Sequence, residues 1–338
     1  MLSVMATGGP RTSSSSSSST PAKALVRFDL HGHAVGLSLE VPFLVPAASA
    51  HLASLQIPAA DPRDNDIEGA IVPYAEADVL RRISRDARPV GEDEPCYHPL
   101  LELYRTGDGG RWWIVDERWG MCEIDLVAGT WRSFVLPSPA VDDITLFESA
   151  VWWPMAILLR GRGLHLIPAA SFGRNGRGVL LLSRADVTPE LLALPQSGIG
   201  IIGQRWTALR EEGDGSIALL PVPGRTLSRS NQSRSLAGDA PDAFDAAALL
   251  ACGPARCGLV LLAEPMRRLQ GSSSPLNPVA AAREIGLAWP VPPIGNAKAN
   301  TLPTGLAKRC PIHRLSLGRD GSDLPRLLTG THASRRAA

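Results

Sequence analysis

Residues 164–206 read LHLIPAASFGRNGRGVLLLSRADVTPELLALPQSGIGIIGQRW, and this stretch sets the fold class. Two apolar runs, 164–170 and 179–182, flank the polar segment 171–178, a pattern that predicts a buried hairpin. Beyond it, Thr188 precedes Pro189, which places an N-cap ahead of a residue suited to the first helical position. A short helix to about Leu194 follows from that signal. The glycine-bounded run 198–203 then predicts another buried strand. Runs 206–209 and 216–220 flank a turn at Glu211, Glu212, Gly213, Asp214 and Gly215. The expected order is therefore strand, turn, strand, helix, strand, hairpin, a mixed α/β arrangement.

That order, with His165 opening the first strand and Gln204 closing the glycine-bounded one, resembles the catalytic domain of the HPr kinase/phosphorylase family and its HPr-kinase-related relatives. Residues 310–317, a polar turn and the leucines at 324–328 are similar to the way those relatives end. The resemblance covers residues 140–330 and implies a phosphoenolpyruvate-carboxykinase-like P-loop domain there. It also implies a Walker A loop at 183–190 and a remnant phosphate site made of His165, Ser183, Arg184, Asp186, Thr188, Gln204 and Arg205.

The chemistry departs from that pattern. A Walker A loop cradles phosphate with glycine amides and reaches it with a lysine. This chain has no lysine between Lys23 and Lys298, and Pro189 stands near the lysine position. Where the family carries an aspartate pair for magnesium and base work, Gln204 and Arg205 stand instead. Magnesium wants hard oxygen ligands, so this pair cannot hold it. Phosphoryl transfer depends on positioning and on positive charge around the phosphates, and Arg184 and Arg205 replace only part of that charge.

The expectation is a degenerate HPr-kinase-like protein without orthodox kinase activity. It would act as a binding or accessory component for a protein or peptide partner, and the resemblance implies a setting beside enzymes that modify a peptide or carbohydrate. One alternative is a nucleotide-binding enzyme with a rebuilt phosphate site. The other is a structural interaction module carried by the tryptophan-rich N-terminal part. No cofactor is expected, with ATP and magnesium entering only if the site is rebuilt. Self-association is compatible with all three readings.

The 338 residues suffice for a substantial core. With 44% hydrophobic residues and a net charge of +1, the chain is no disordered polyelectrolyte. Near-neutrality gives no general pull towards nucleic acid or anionic membrane. Residues 1–22, with a serine run at 13–19, read as a flexible tail without a signal-peptide core, and 331–338 as a second tail. The most apolar stretch, 150–159, falls short of the ~18 residues that span a bilayer. The reading is therefore a cytoplasmic protein, and five cysteines, an odd number, suit reduced thiols.

Residues 23–140 read as a small β-rich α+β domain ahead of the 141–330 domain. Runs 24–30 and 34–41 form a hairpin around His31, Gly32 and His33, and 75–84 has helical periodicity. Runs 101–104, 112–115, 122–126 and 131–136 form a meander with short glycine turns. Asp142 or Asp143 caps a helix over 144–159. Residues 221–242, which include the arginine-serine segment 225–235, and residues 271–278 read as loops.

Three further groups have both a chemical and a bland reading. His31 and His33 have metal-ligand spacing but no third ligand nearby, which favours a turn-flanking role. Cys252 and Cys257 lack the second pair that a zinc site needs. Trp112, Trp113, Trp119 and Trp131 read as cross-strand core before they read as an aromatic ligand surface.

Overall fold

The computed structural model describes residues 24–58, 64–74, 83–90, 101–136, 141–183, 187, 191, 194–222, 253–264, 271–288, 302–317, 324 and 328. The tails, the 75–84 helix apart from its last two residues, the segment 223–252 and most of the 188–194 helix lie outside those residues.

The first sheet has eight strands in the order β1-β2-β3-β8-β7-β6-β5-β4. Its opening hairpin, β1 (Ala24–Leu30) and β2 (His33–Leu39), turns at His31 and Gly32, both at positive φ. That is the backbone a two-residue turn between twisted strands demands. Helix α1 (Val45–Leu52) then crosses over to β3 (Ile67–Pro73), which lies parallel to β2. The predicted meander is present as β5 (Glu102–Arg105), β6 (Arg111–Asp116), β7 (Gly120–Asp125) and β8 (Thr130–Val135), with β4 (Arg88–Val90) on its outer edge. Gly69 of β3 faces Trp131 of β8 across the ladder, and a Cβ at Gly69 would sit 2.1 Å from the indole. The ring therefore packs over the space that glycine leaves. All four meander tryptophans are buried, with exposures of 1–3%, so they are core and present no aromatic ligand surface.

Helix α2 (Asp143–Arg160) starts where expected, with Asp142 accepting from the Thr145 amide at 3.0 Å. Nearly every residue from Leu146 onward is buried, because the helix lies between the two sheets. One apolar cluster joins Trp112, Ile114 and Val135 of the first sheet, Val151, Trp152 and Met155 of α2, and Leu166, Ala208 and Leu220 of the second sheet. Pro154 has no N–H for the carbonyl of Ala150 one turn earlier. Ser133 of β8 donates its hydroxyl to that oxygen at 2.7 Å, inside the core. Ser133→Ala is expected to cost about 1–3 kcal/mol in urea denaturation, since it orphans a buried carbonyl. A loss below a few tenths would mean that the carbonyl finds another donor.

The second sheet has nine strands, with the path β12-β10-β11-β15-β14-β13-β9, and β17 and β16 branching from β15. The expected hairpin exists with a different register. Pro168 splits the first apolar run into β9 (Leu164–Ile167) and β10 (Ala170–Arg174), and only β10 pairs with β11 (Arg177–Ser183). The turn is just Asn175 and Gly176, both at positive φ, so residues 171–174 are strand and not loop. β9 pairs instead with β13 (Thr207–Glu211), whose hairpin partner is β14 (Ile217–Pro221). β12 (Gly200–Gly203) adds to β10.

β15 (Ala255–Ala263) runs parallel to β11 on one side and to β17 (Ile312–Ser316) on the other. Residues 272–275, read as loop, form β16 (Ser272–Pro275), an edge strand on β17, and α3 (Pro278–Ala288) begins directly after it. Serine-rich segments look like loop by composition, but here the main chain of β17 supplies the pairing. Helix α4 (Leu302–Arg309) leads into β17. Leu180 and Leu182 of β11 pack with α3 and α4, whereas Val179 and Leu181 pack with Phe172, Leu315, Leu324 and Leu328. A strand covered on both faces reads as a continuous apolar run, which is the VLLL of 179–182. Among the described residues no helix is long and apolar enough to cross a membrane.

Candidate functional site

In an open sheet with parallel strands, ligands meet the carboxyl ends of the strands. Here β11 and β15 of the parallel trio end at Ser183 and Ala263, level in the ladder with Leu315, one residue before the end of β17. Ser183 is half-buried at this edge. Glu264, the next residue after β15, accepts a short hydrogen bond from the buried Ser316 hydroxyl. Of the residues in the expected phosphate loop, Arg184, Asp186 and Thr188 lie outside the described set.

Gln204 and Arg205 follow β12, which runs in the same direction as β11. Gln204 is buried, and its side-chain oxygen has no hydrogen-bond partner. Arg205 turns towards α2. Its Nη1 lies 3.0 Å from Glu148 Oε2 and 3.3 Å from the Thr145 hydroxyl. The contact with Glu148 is an ion pair that lacks hydrogen-bond alignment, since the same oxygen is without a hydrogen bond. The other carboxylate oxygen faces His51 Nε2 at 3.2 Å, and His51 Nδ1 faces the Ala47 carbonyl at 3.2 Å. Both ring nitrogens thus face oxygen acceptors, so a neutral ring can donate to only one of them at a time. Phe147 meets the His51 ring edge-on at 5.6 Å.

The result is a charged network, His51–Glu148–Arg205, in which Glu148 and His51 are almost wholly buried and Arg205 reaches solvent. Residue order gave no hint of it. His51 lies on α1, Glu148 on α2 and Arg205 in the bend after β12, and the only sequence signal was a charged residue within the apolar run of α2.

His165 does not join Ser183. The ladder through Leu209 and Leu219 sets His165 level with Ala255, at the start of β15, while Ser183 pairs at its end. About 25 Å of strand separates those levels. The ring of His165 is buried, and desolvation, with help from the Arg160 charge, lowers its pKa to about 4. Burial also draws Arg160 down to about 10. No family model and no curated protein matches this chain.

Among the described residues no group of three metal-binding side chains includes His31. Its Nε2–H donates to the Pro221 carbonyl at 2.7 Å, tying the first hairpin to the end of β14. Desolvation lowers the pKa of both His31 and His33. Cys252 lies outside the described residues, and Cys257 faces Cys310 instead.

These three histidines set a pH dependence. Each binds its proton less readily folded than unfolded, so between their lowered values and 6.5 the unfolded chain holds more protons. Their contribution to stability is complete above pH 6.5 and is lost as pH falls towards 4. His165 alone contributes on the order of 3 kcal/mol across that window. Urea midpoints measured from pH 7 to 4 should fall, and His165→Gln should flatten the slope. An unchanged slope in that variant would count against the burial argument.

Proposed function

We propose that this chain is a degenerate HPr-kinase-like protein without orthodox kinase activity, serving in the cytoplasm as a binding or accessory component for a protein or peptide partner. On this reading residues 141–330 form a phosphoenolpyruvate-carboxykinase-like P-loop domain, and the first sheet is its β-rich companion. One observation carries the loss of chemistry. At the position where the resemblance requires an aspartate pair, Gln204 is buried and the Arg205 guanidinium is engaged by Glu148, 3.0 Å away. A side chain already paired with a buried carboxylate neither holds magnesium nor lends its charge to a phosphate.

A second reading, a nucleotide-binding enzyme with a rebuilt site, draws support from Glu264, a single carboxylate at the end of the parallel strands beside Ser183. Calorimetric titration with ATP and ADP, with and without magnesium, separates the two. The accessory reading expects no saturable heat at millimolar nucleotide. Saturable binding that weakens in Arg184→Ala and becomes insensitive to magnesium in Glu264→Gln would overturn it in favour of the rebuilt site. Arg205→Ala is unsuitable for this purpose because it also unpairs Glu148. The interaction-module reading cannot be tested by deleting residues 1–140 either, since the apolar cluster around α2 is shared by both sheets.

A further inference from the structure

Cys257 lies on β15, and Cys310 is the first residue after α4, where the chain turns into β17. The two strands run parallel, and the Val260 amide donates to the Pro311 carbonyl at 3.0 Å, which draws the α4–β17 junction against β15. The Cys310 thiol consequently donates to the Cys257 carbonyl oxygen at 3.4 Å, while the Cys257 thiol donates to the Leu259 carbonyl at 3.8 Å. Both are buried in the cluster formed with Ile285, Leu306 and Ile312. The third described cysteine, Cys122, belongs to the other cluster, on β7.

A buried thiol in apolar surroundings is normally inert. The neighbouring Cys310 thiol and burial both push the Cys257 pKa up, so this sulfur does not react readily while it stays buried. What distinguishes this pair from a solitary buried cysteine is a second cysteine, 53 residues away in the chain, whose sulfur lies 3.4 Å from the backbone of the first. We propose that Cys257 and Cys310 are a redox pair that closes to an intramolecular disulfide when the chain meets a two-electron oxidant of the peroxide class.

In the first step one thiolate attacks a peroxide oxygen. The O–O bond breaks, hydroxide leaves and a sulfenic acid forms. The partner sulfur then attacks the sulfenic sulfur; the S–S bond forms, the S–O bond breaks, and the departing oxygen takes the thiol proton to leave as water. With hydrogen peroxide, two thiols and one peroxide become one disulfide and two waters. The bond closes a loop that contains β16, α3 and α4 and pins it to β15, which removes loop entropy from the unfolded chain. Access requires local opening of the α4–β17 junction, so opening sets the rate.

The experiment treats the full native chain with hydrogen peroxide, blocks the remaining thiols and maps unreduced peptides by mass spectrometry. A peptide linking Cys257 to Cys310 is expected, forming faster in sub-denaturing urea. It should raise the thermal midpoint by ~5 °C, reversed by dithiothreitol. Cys310→Ala should abolish both the linkage and the shift. Linkage of Cys257 to Cys252 or Cys96, or recovery of both thiols after peroxide has consumed an exposed control thiol, would overturn the proposal. The mapping on the unaltered chain keeps it falsifiable should the variant fail to fold.

Discussion

Glu148→Ala is expected to destabilise the protein by about 3–5 kcal/mol, read as a lowered urea midpoint at constant slope. The carboxylate is 2% exposed and lies between His51 Nε2 and Arg205 Nη1, so its removal takes the acceptor from the buried His51 Nε2 and leaves Arg205, of Glu148 and Thr145, only the Thr145 hydroxyl. Half of the Arg205 side chain reaches water, which screens its share of the loss. The larger part comes from His51 and from the cavity among Phe147 and its neighbours. Glu148→Gln should cost less than Glu148→Ala, because the amide keeps the shape and one hydrogen bond. A loss under 1 kcal/mol for Glu148→Ala would mean that solvent reaches the network, and that Arg205 is free to turn towards a ligand.

Trp152→Ala should cost a comparable 3–5 kcal/mol, roughly the loss for removing a buried aromatic ring. The ring is fully buried on α2 and meets Phe28 of β1 edge-on at 6.4 Å. Its place between the sheets makes a second outcome more informative than the size of the loss. Since the cluster around Trp152 includes residues of both sheets, far-ultraviolet circular dichroism and tryptophan fluorescence should lose signal in one coincident transition, at a lower midpoint. Two separated transitions, with only one shifted by the substitution, would show that the sheets fold independently and that α2 belongs to one of them.

Much of the local structure was legible. The first hairpin turns at the expected His31-Gly32, and the second turns within the polar run 171–178, at Asn175-Gly176, where asparagine and glycine accept positive φ. Asp142 marks the start of α2 because its side chain satisfies an amide that the helix leaves free. The meander strands were readable from their spacing, and the burial of the four tryptophans followed from them. Partner choice was less legible. β9 and β10 share one apolar run, yet β9 pairs with β13, because Pro168 interrupts the run and the residues on either side join different strands. The strand at 272–275 carries no β-forming residues and exists only because β17 lies alongside it.

Residue type and short-range spacing were enough to establish which segments are apolar and where most of the turns fall. They also show that the segment 183–190 contains no lysine and that Gln204 and Arg205 follow the strand that ends at Gly203. Long-range packing was needed to put His165 and Ser183 at opposite ends of the sheet, to pair Arg205 with Glu148, and to bring Cys257 against Cys310. Each of these depends on which distant segment lies alongside. That choice is made by burying apolar surface over the whole chain at once, and charged and sulfur-bearing side chains are carried into contact as a consequence.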